Sequence, residues 1–342
     1  MNAVQTTLPL LLRREDLSQE QAHDAIAAMM GGQVEPVQIA AWLTAMAMKG
    51  ECIEEVAGAA RAMRGAMTSV THTHPEVVDT CGTGGDGSHT FNISTASAFV
   101  VAACGVPVAK HGNRAITSKS GSSDVLEALG VRIDLPHLAI EQLLAKLDIA
   151  FLFAPSHHPA MRHVGPVRAK LGFRTLFNLL GPLTNPAGAR KQLIGVYSEE
   201  KVPFIAHVCR LLDMDRVMVV HGRDGLDEIT LCSETVVAEL NNGIVEQRIL
   251  TPEELGLPRC DPEALKGGDA THNAAIVRAV LGGEQGARRD IVVANAAAML
   301  VVAGKASDLR DGVRLAGEAI DSGNALKTLD SLVHASQEIG NA

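Results

Sequence analysis

Residues 77–95 read VVDTCGTGGDGSHTFNIST, and they restrict the fold more than any other stretch. Val77–Val78 has the pattern of a buried strand end, and Gly82, Gly84, Gly85 and Gly87 make the next stretch a glycine-rich loop. Ser94–Thr95 then lead into the apolar run ASAFVVAAC, which stops at Gly105 and is followed by VPVAK. Strand, loop, helix and strand in this order form a βαβ unit with the loop at the carboxyl end of its first strand. The chain is therefore expected to be α/β.

The remaining segments fit that class. Residues 1–70 read as helices throughout. Ser18 and Gln21 form a capping-box pattern, Gly31-Gly32 ends the run that follows, and Pro36 suits a first helical turn. Ile39, Trp42, Leu43 and Met46 keep helical spacing, and ECIEEVAGAARAMRGAM supplies another helix. The Met and Leu positions of 39–67 read as core. The polar, proline-containing THTHPE at 71–76 makes a hinge between this helical appendage and the α/β part. Further on, IAFLF, LIGVY and RVMVVHG are strand candidates, and ETVVAELNNGIVEQRIL reads as a hairpin turning at Asn242-Gly243. DIVVANAAAMLVVAG reads as a buried helix, and the segment after Asp308 as amphipathic and helical. At 342 residues, two domains or one large α/β domain are the natural expectations.

Charge narrows the partners. The formal net charge is −9 and the basic residues are scattered, which argues against a duplex-binding face. Any anionic ligand must be held locally, by backbone amides, a few cations or a metal. The six cysteines contain no C-x-x-C pair, so reduced thiols in a cytoplasmic enzyme are the simple reading. No basic region precedes the short apolar run near the N-terminus, and no run is long enough to span a membrane, so neither a signal peptide nor a membrane partner is expected.

Gly82-Thr83-Gly84-Gly85-Asp86-Gly87 matches the dinucleotide fingerprint letter for letter. That fingerprint also needs its third glycine inside the opening helix and an acidic residue about twenty positions on. Here the helix starts late, near Ser94, and the acid is replaced by the cationic Lys110-His111-Gly112-Asn113-Arg114. A P-loop fails as well, because no G-K-[ST] follows. What remains is a loop of bare amides leading to a helix amino terminus, which together favour an anion. Lys110 and Arg114 add cations to the same spot in this reading. A tight structural turn is the alternative for any single glycine.

Three further clusters stand out. Asp227-Glu228 follows Gly222 and Gly225 in HGRDGLDEIT, and these glycines suggest a loop that lets both carboxylates converge. On residues alone the pair is either a solvated acidic turn or a set of hard oxygens suited to Mg²⁺. SHHPAMRHVGPVR at 156–168 concentrates three histidines and two arginines. It lacks zinc-protease spacing and reads as a polar surface loop or as part of a ligand pocket. GGDATHNAAIV at 267–277 reads as a helix start capped by Asp269 or Thr271.

Taken together, GTGGDGSHTFNIST, KHGNRAITSKSGSSDVLEALG, LFNLLGPLTNP and GRDGLDE, in this order and spacing, resemble the anthranilate phosphoribosyltransferases over nearly the whole chain. Departures such as Thr117 and Ser123, where the family often has Ser and Ala, touch no charged or metal-binding position. The resemblance implies transfer of phosphoribose from phosphoribosyl pyrophosphate to the amine of anthranilate, in tryptophan biosynthesis, by a homodimer. It implies a nucleoside phosphorylase-like architecture with a mainly parallel central sheet. A helical domain at 1–70, completed by a segment near 165–190, would stand beside an α/β domain at 76–342. By the same resemblance, phosphoribosyl pyrophosphate would contact Gly82, Gly85, Asp86, Thr90, Asn92, Ile93, Ser94 and Thr95. Lys110, His111, Gly112, Asn113, Arg114, Ala115, Ile116, Thr117, Ser118 and Ser122 would complete that site. Gly82, Asn113 and Arg168 would contact anthranilate, with the planar Arg168 fork on its carboxylate. Ser94, Asp227 and Glu228 would hold two Mg²⁺ ions. His157 and His158 receive no assigned role, His111 no catalytic one, and no general base is assigned. A pyrimidine nucleoside phosphorylase is the rival within the fold, disfavoured by the KHGNR loop and the acidic pair. A nucleic-acid-binding relative is disfavoured by the charge of −9.

Overall fold

Alternation with period two in the apolar strands decides how the molecule is layered. The computed structural model describes residues 2–114 and 119–340. Its seven strands are β1 (Val78–Thr80), β2 (Val108–Gly112), β3 (Ile149–Phe153), β4 (Lys191–Gly195), β5 (Arg216–Gly222), β6 (Thr235–Asn241) and β7 (Ile244–Leu250). They form one sheet in the order β3-β2-β1-β4-β5-β6-β7. The first five are parallel, and β6 and β7 add an antiparallel edge. The edge hairpin turns at Asn242 and Gly243, whose φ values of 50° and 79° give the twisted two-residue turn that an Asn-Gly pair favours.

Successive residues of β5 feed opposite cores. Met218 and Val220 join one apolar cluster, while Val217 and Val219 join the other. The first cluster is covered by α5 (Ile93–Ala103) and by the buried helix Ala287–Ala303. The second continues into the N-terminal helices α1 (Ala3–Leu12), α2 (Gln19–Met30), α3 (Pro36–Lys49) and α4 (Ile53–Gly65). Val164, Val167, Leu176, Phe177 and Leu180 share that second core. Among the described residues, no helix is long and apolar enough to cross a membrane.

Local signals match the elements they announced, with small differences. Ser18 and Gln21 cap α2 reciprocally, and Pro36 opens α3. The strand read in LIGVY begins two residues earlier and ends at Gly195, with Val196 N–H making a further bond to Val220 O at 3.0 Å. The C-terminal run is two helices, Leu309–Asp321 and Asn324–Gly340, divided at Gly323 with φ 76°. Asp269 caps its helix by accepting from His272 N–H at 2.8 Å, and Thr271 lies inside. Cys232 and Cys260 bring their sulfurs to 3.4 Å, a proximity hidden by their sequence separation.

This topology creates a switch point. From β1 the chain builds β2 and β3 on one side, then crosses to build β4 and β5 on the other. In open α/β sheets such a reversal leaves a crevice at the carboxyl ends of the two central strands, and ligands bind there. Here those ends belong to β1 and β4.

The helical lobe carries one polar anchor that hydrophobic spacing does not announce. Glu55 is fully buried and accepts from Leu17 N–H at 2.9 Å, Cys52 N–H at 2.8 Å and the Lys49 ammonium at 3.0 Å. Removing one partner of a buried ion pair leaves an uncompensated charge. Glu55→Ala is expected to lower unfolding free energy by about 3 kcal/mol in urea titration. A loss under about 0.5 kcal/mol would show the anchor to be dispensable.

Candidate active site

The glycine loop leaves the end of β1 through conformations that side chains avoid. Gly84, Gly85 and Gly87 have φ of 66°, 77° and 74°. The loop is pinned at three consecutive residues. Thr83 N–H donates to Gly195 O at 2.8 Å, Gly84 N–H donates to Asp227 Oδ2 at 2.9 Å, and the Arg174 guanidinium donates to Gly85 O. Among the described residues, the N–H groups of Gly85, Asp86 and Gly87 meet no protein acceptor. Helix α5 begins at Ile93, the late start that the sequence suggested. The side chains of Ile93 and Thr95 are buried, so these two residues offer only backbone to a ligand. Asn92 is held from both sides, donating to Ser120 O and accepting from Asn273. Thr90 bridges to Lys266.

Asp227 and Glu228 stand in the irregular segment after β5 and converge on the glycine loop. Glu228 Oε1 accepts from Ser94 N–H at 3.1 Å, in the first turn of α5. The acidic segment crosses the end of β4 so closely that a Cβ on Gly195 would lie 1.6 Å from the Asp227 carbonyl oxygen. A Cβ on Gly82 would sit 2.8 Å from Asp227 Oδ2. Asn295, fully buried on the helix Ala287–Ala303, clamps the next residue by accepting from Ile229 N–H at 2.9 Å and donating to Ile229 O at 3.0 Å. Burial, and then the charge of Asp227, pushes Glu228 up to about 8, with Lys110 offsetting part of the effect. Burial also raises Asp227, and the neighbouring Asp86 adds to the rise. These carboxylates are thus short of positive charge, and their hard oxygens suit a small divalent cation.

The β2 side of the site is arranged around Asp79. This fully buried carboxylate accepts from His111 N–H at 3.1 Å and from Asn185 Nδ2 at 2.8 Å, and burial raises it to about 6. Lys110 is buried and donates to Thr80 O at 2.6 Å, which holds its ammonium behind the glycine loop. Gly112 ends β2, and Ser122 Oγ donates back to Asn113 O at 3.3 Å. Arg114 is exposed and turned toward the helix Ser122–Ala128, where it pairs with Asp124 and Glu127. Its guanidinium is therefore committed away from the glycine loop. Ala115, Ile116, Thr117 and Ser118 lie outside the described residues.

The histidine- and arginine-rich run is not a surface loop at its core. His157 and His158 are buried, and His157 Nδ1–H donates to Thr68 O at 3.0 Å. The His158 ring lies 5.2 Å from that of His111. Burial pushes His111 down to about 3 and His158 to about 4, so both rings are neutral near pH 7. Arg168, half-buried on the helix Gly165–Leu171, sits 5.3 Å over the Phe177 ring and forms no ion pair among the described residues. A sheltered cation with no protein anion fits an anionic ligand.

The glycosyl transferase family helical bundle domain matches residues 7–67, and the glycosyl transferase family a/b domain matches residues 74–326. An anthranilate phosphoribosyltransferase from Desulfatibacillum aliphaticivorans is 50% identical over 333 residues, covering 97% of this chain and 98% of the relative. The chain belongs to the anthranilate phosphoribosyltransferase family. Solved structures of that family have the same fold. The enzyme from Thermus thermophilus superposes with a TM-score of 0.92 at 45% identity, covering 98% of this chain and 100% of its own. The Saccharomyces cerevisiae enzyme, in complex with PRPP and Mg, superposes with a TM-score of 0.90 at 29% identity, covering 98% of each chain.

Sequence reasoning missed Gly195, Asn295, Asn185 and Arg174. A lone glycine closing an apolar strand is a recognised sign of close backbone approach, so Gly195 was accessible in principle. The other three act across long sequence separations, and Asn185, though inside LFNLLGPLTNP, received no role from that motif.

Proposed function

We propose that this protein transfers the phosphoribosyl group of 5-phosphoribosyl 1-pyrophosphate to the amino group of anthranilate. The products are N-(5-phosphoribosyl)anthranilate and pyrophosphate, in tryptophan biosynthesis. The observation that carries this reading is the meeting of the glycine loop and Asp227-Glu228 at the β1/β4 switch point. It joins an anion-binding set of amides to a cation-binding set of oxygens, which is what a magnesium diphosphate requires.

In this reading the free amides of Gly85, Asp86 and Gly87 and the α5 amino terminus take the diphosphate. Gly82, Thr90, Asn92, Lys110, His111, Gly112, Asn113 and Ser122 would surround the sugar phosphate. Ser94, Asp227 and Glu228 would hold Mg²⁺, and two ions suit this number of oxygens. The raised carboxylates fit such a group because they lack full counter-charge. When bound, Mg²⁺ supplies positive charge that stabilises the departing pyrophosphate. Asn113 and Arg168 orient anthranilate, with Arg168 on its carboxylate. An arylamine is nucleophilic when neutral, and neutral His111 and His158 are weak bases, so positioning carries more of the rate than proton removal.

The same reading places the enzyme in the cytoplasm and divides it into a helical lobe, 1–70 with 165–190, and an α/β lobe, 76–342. It is a homodimer. Leu12, Val37 and Met48 are 70%, 74% and 72% exposed on α1 and α3, an apolar surface suited to a second copy. Sedimentation velocity is expected to give twice the 35.9 kDa chain mass, and a monomer at micromolar concentration would overturn the dimer.

Anthranilate fluorescence tests the activity. Consumption is expected only with phosphoribosyl pyrophosphate and a divalent metal together. Activity indifferent to a chelator, or phosphorolysis of a pyrimidine nucleoside in its place, would overturn the assignment. In the same assay Arg168→Ala removes a charge-assisted bond, a loss of about 1.5–3 kcal/mol or about ten- to a hundredfold. KM for anthranilate is expected to rise by that factor, while KM for phosphoribosyl pyrophosphate changes by less than about twofold. Equal weakening toward both substrates would remove Arg168 from the anthranilate pocket.

A further inference from the structure

Arg174 carries an arrangement that neither the family motifs nor the mechanism uses. It follows the helix Gly165–Leu171, on the segment whose apolar residues share the helical core, and it is exposed. A long exposed side chain pays conformational entropy to be held in one place. Two contacts hold this one. Its guanidinium lies 4.1 Å over the ring of Tyr197, two residues past Gly195, and it donates to Gly85 O. It forms no ion pair with any carboxylate among the described residues.

The peptide that Arg174 grips is the one the loop can least fix by itself. Gly85 has φ 77° and no side chain, so the Gly85–Asp86 peptide plane can rotate at little cost. A trans peptide points its C=O and N–H in opposite directions. Holding Gly85 O therefore turns Asp86 N–H away from Arg174, and that N–H meets no acceptor among the described residues. The neighbouring anchors act earlier in the loop, at Thr83 and Gly84.

We infer that Arg174 is a positioning residue that selects the orientation of the Gly85–Asp86 peptide in which the loop amides are presented to the diphosphate. It acts from the helical side of the molecule, with Tyr197 as its platform. The inference rests on the reading of the glycine loop as the phosphoribosyl pyrophosphate site. Its consequence is specific: losing the grip weakens one substrate and spares the other.

Calorimetric titration of phosphoribosyl pyrophosphate with Mg²⁺ into wild type, Arg174→Ala, Arg174→Lys and Tyr197→Leu tests it, alongside steady-state kinetics and thermal melting. Arg174→Ala is expected to weaken binding by about tenfold, the loss of one charge-assisted hydrogen bond. KM for anthranilate should stay within about twofold and Tm should not move, because the side chain is exposed. Arg174→Lys keeps a cation and a donor and should recover part of the loss, and Tyr197→Leu should weaken binding in the same direction by a smaller factor. Wild-type affinity in Arg174→Ala, or equal losses toward both substrates, would overturn the inference. If wild type itself binds no phosphoribosyl pyrophosphate, the reading of the loop fails first and takes this inference with it.

Discussion

The crossing of two backbones at Gly195 is the constraint on which the site depends. The acidic segment passes the end of β4 at a distance that admits a hydrogen but no methyl group. Gly195 also accepts the Thr83 N–H, so one residue fixes both the glycine loop and the acidic segment. Because β1 and β4 are neighbours at the switch point, these two segments emerge side by side. The sheet order sets the crevice, and the missing side chain lets it be narrow.

That closeness has an electrostatic consequence. In the structure Gly84 and Ser94 donate their amides to Asp227 and Glu228, so anion-seeking donors and cation-seeking oxygens satisfy one another in part. Neither set is fully met. Burial leaves the carboxylates above their usual range, and three loop amides have no acceptor among the described residues. In the proposed reading, a chain with net charge −9 would bind a polyanion here through attraction built locally from amides and metal, not from the surface as a whole.

Much of this was legible in the sequence because it is local. The βαβ unit, the Asn242-Gly243 hairpin, the caps at Ser18 and Asp269 and the late start of α5 each depend on residues a few positions apart. The glycine loop's shape was readable because its glycines and the late helix start lie within one stretch. Arg114 shows the limit. Its place beside Lys110 suggested a cation for the loop, yet the carboxylates of Asp124 and Glu127 one helix turn apart claim it. The buried histidines of 157–158 and the links from Asn185, Asn295 and Arg174 were hidden for the same reason. Each is fixed by tertiary packing that no window of sequence contains.

The most direct test of this account is the affinity of Gly195→Ala for phosphoribosyl pyrophosphate, measured by calorimetry with and without Mg²⁺. The added methyl group has to displace the Asp227 backbone, so the two segments can no longer meet as they do. The account expects magnesium-dependent binding to weaken at least about tenfold, about 1.4 kcal/mol, with an unchanged far-ultraviolet circular dichroism spectrum. Full affinity and full magnesium dependence in a folded Gly195→Ala protein would contradict it.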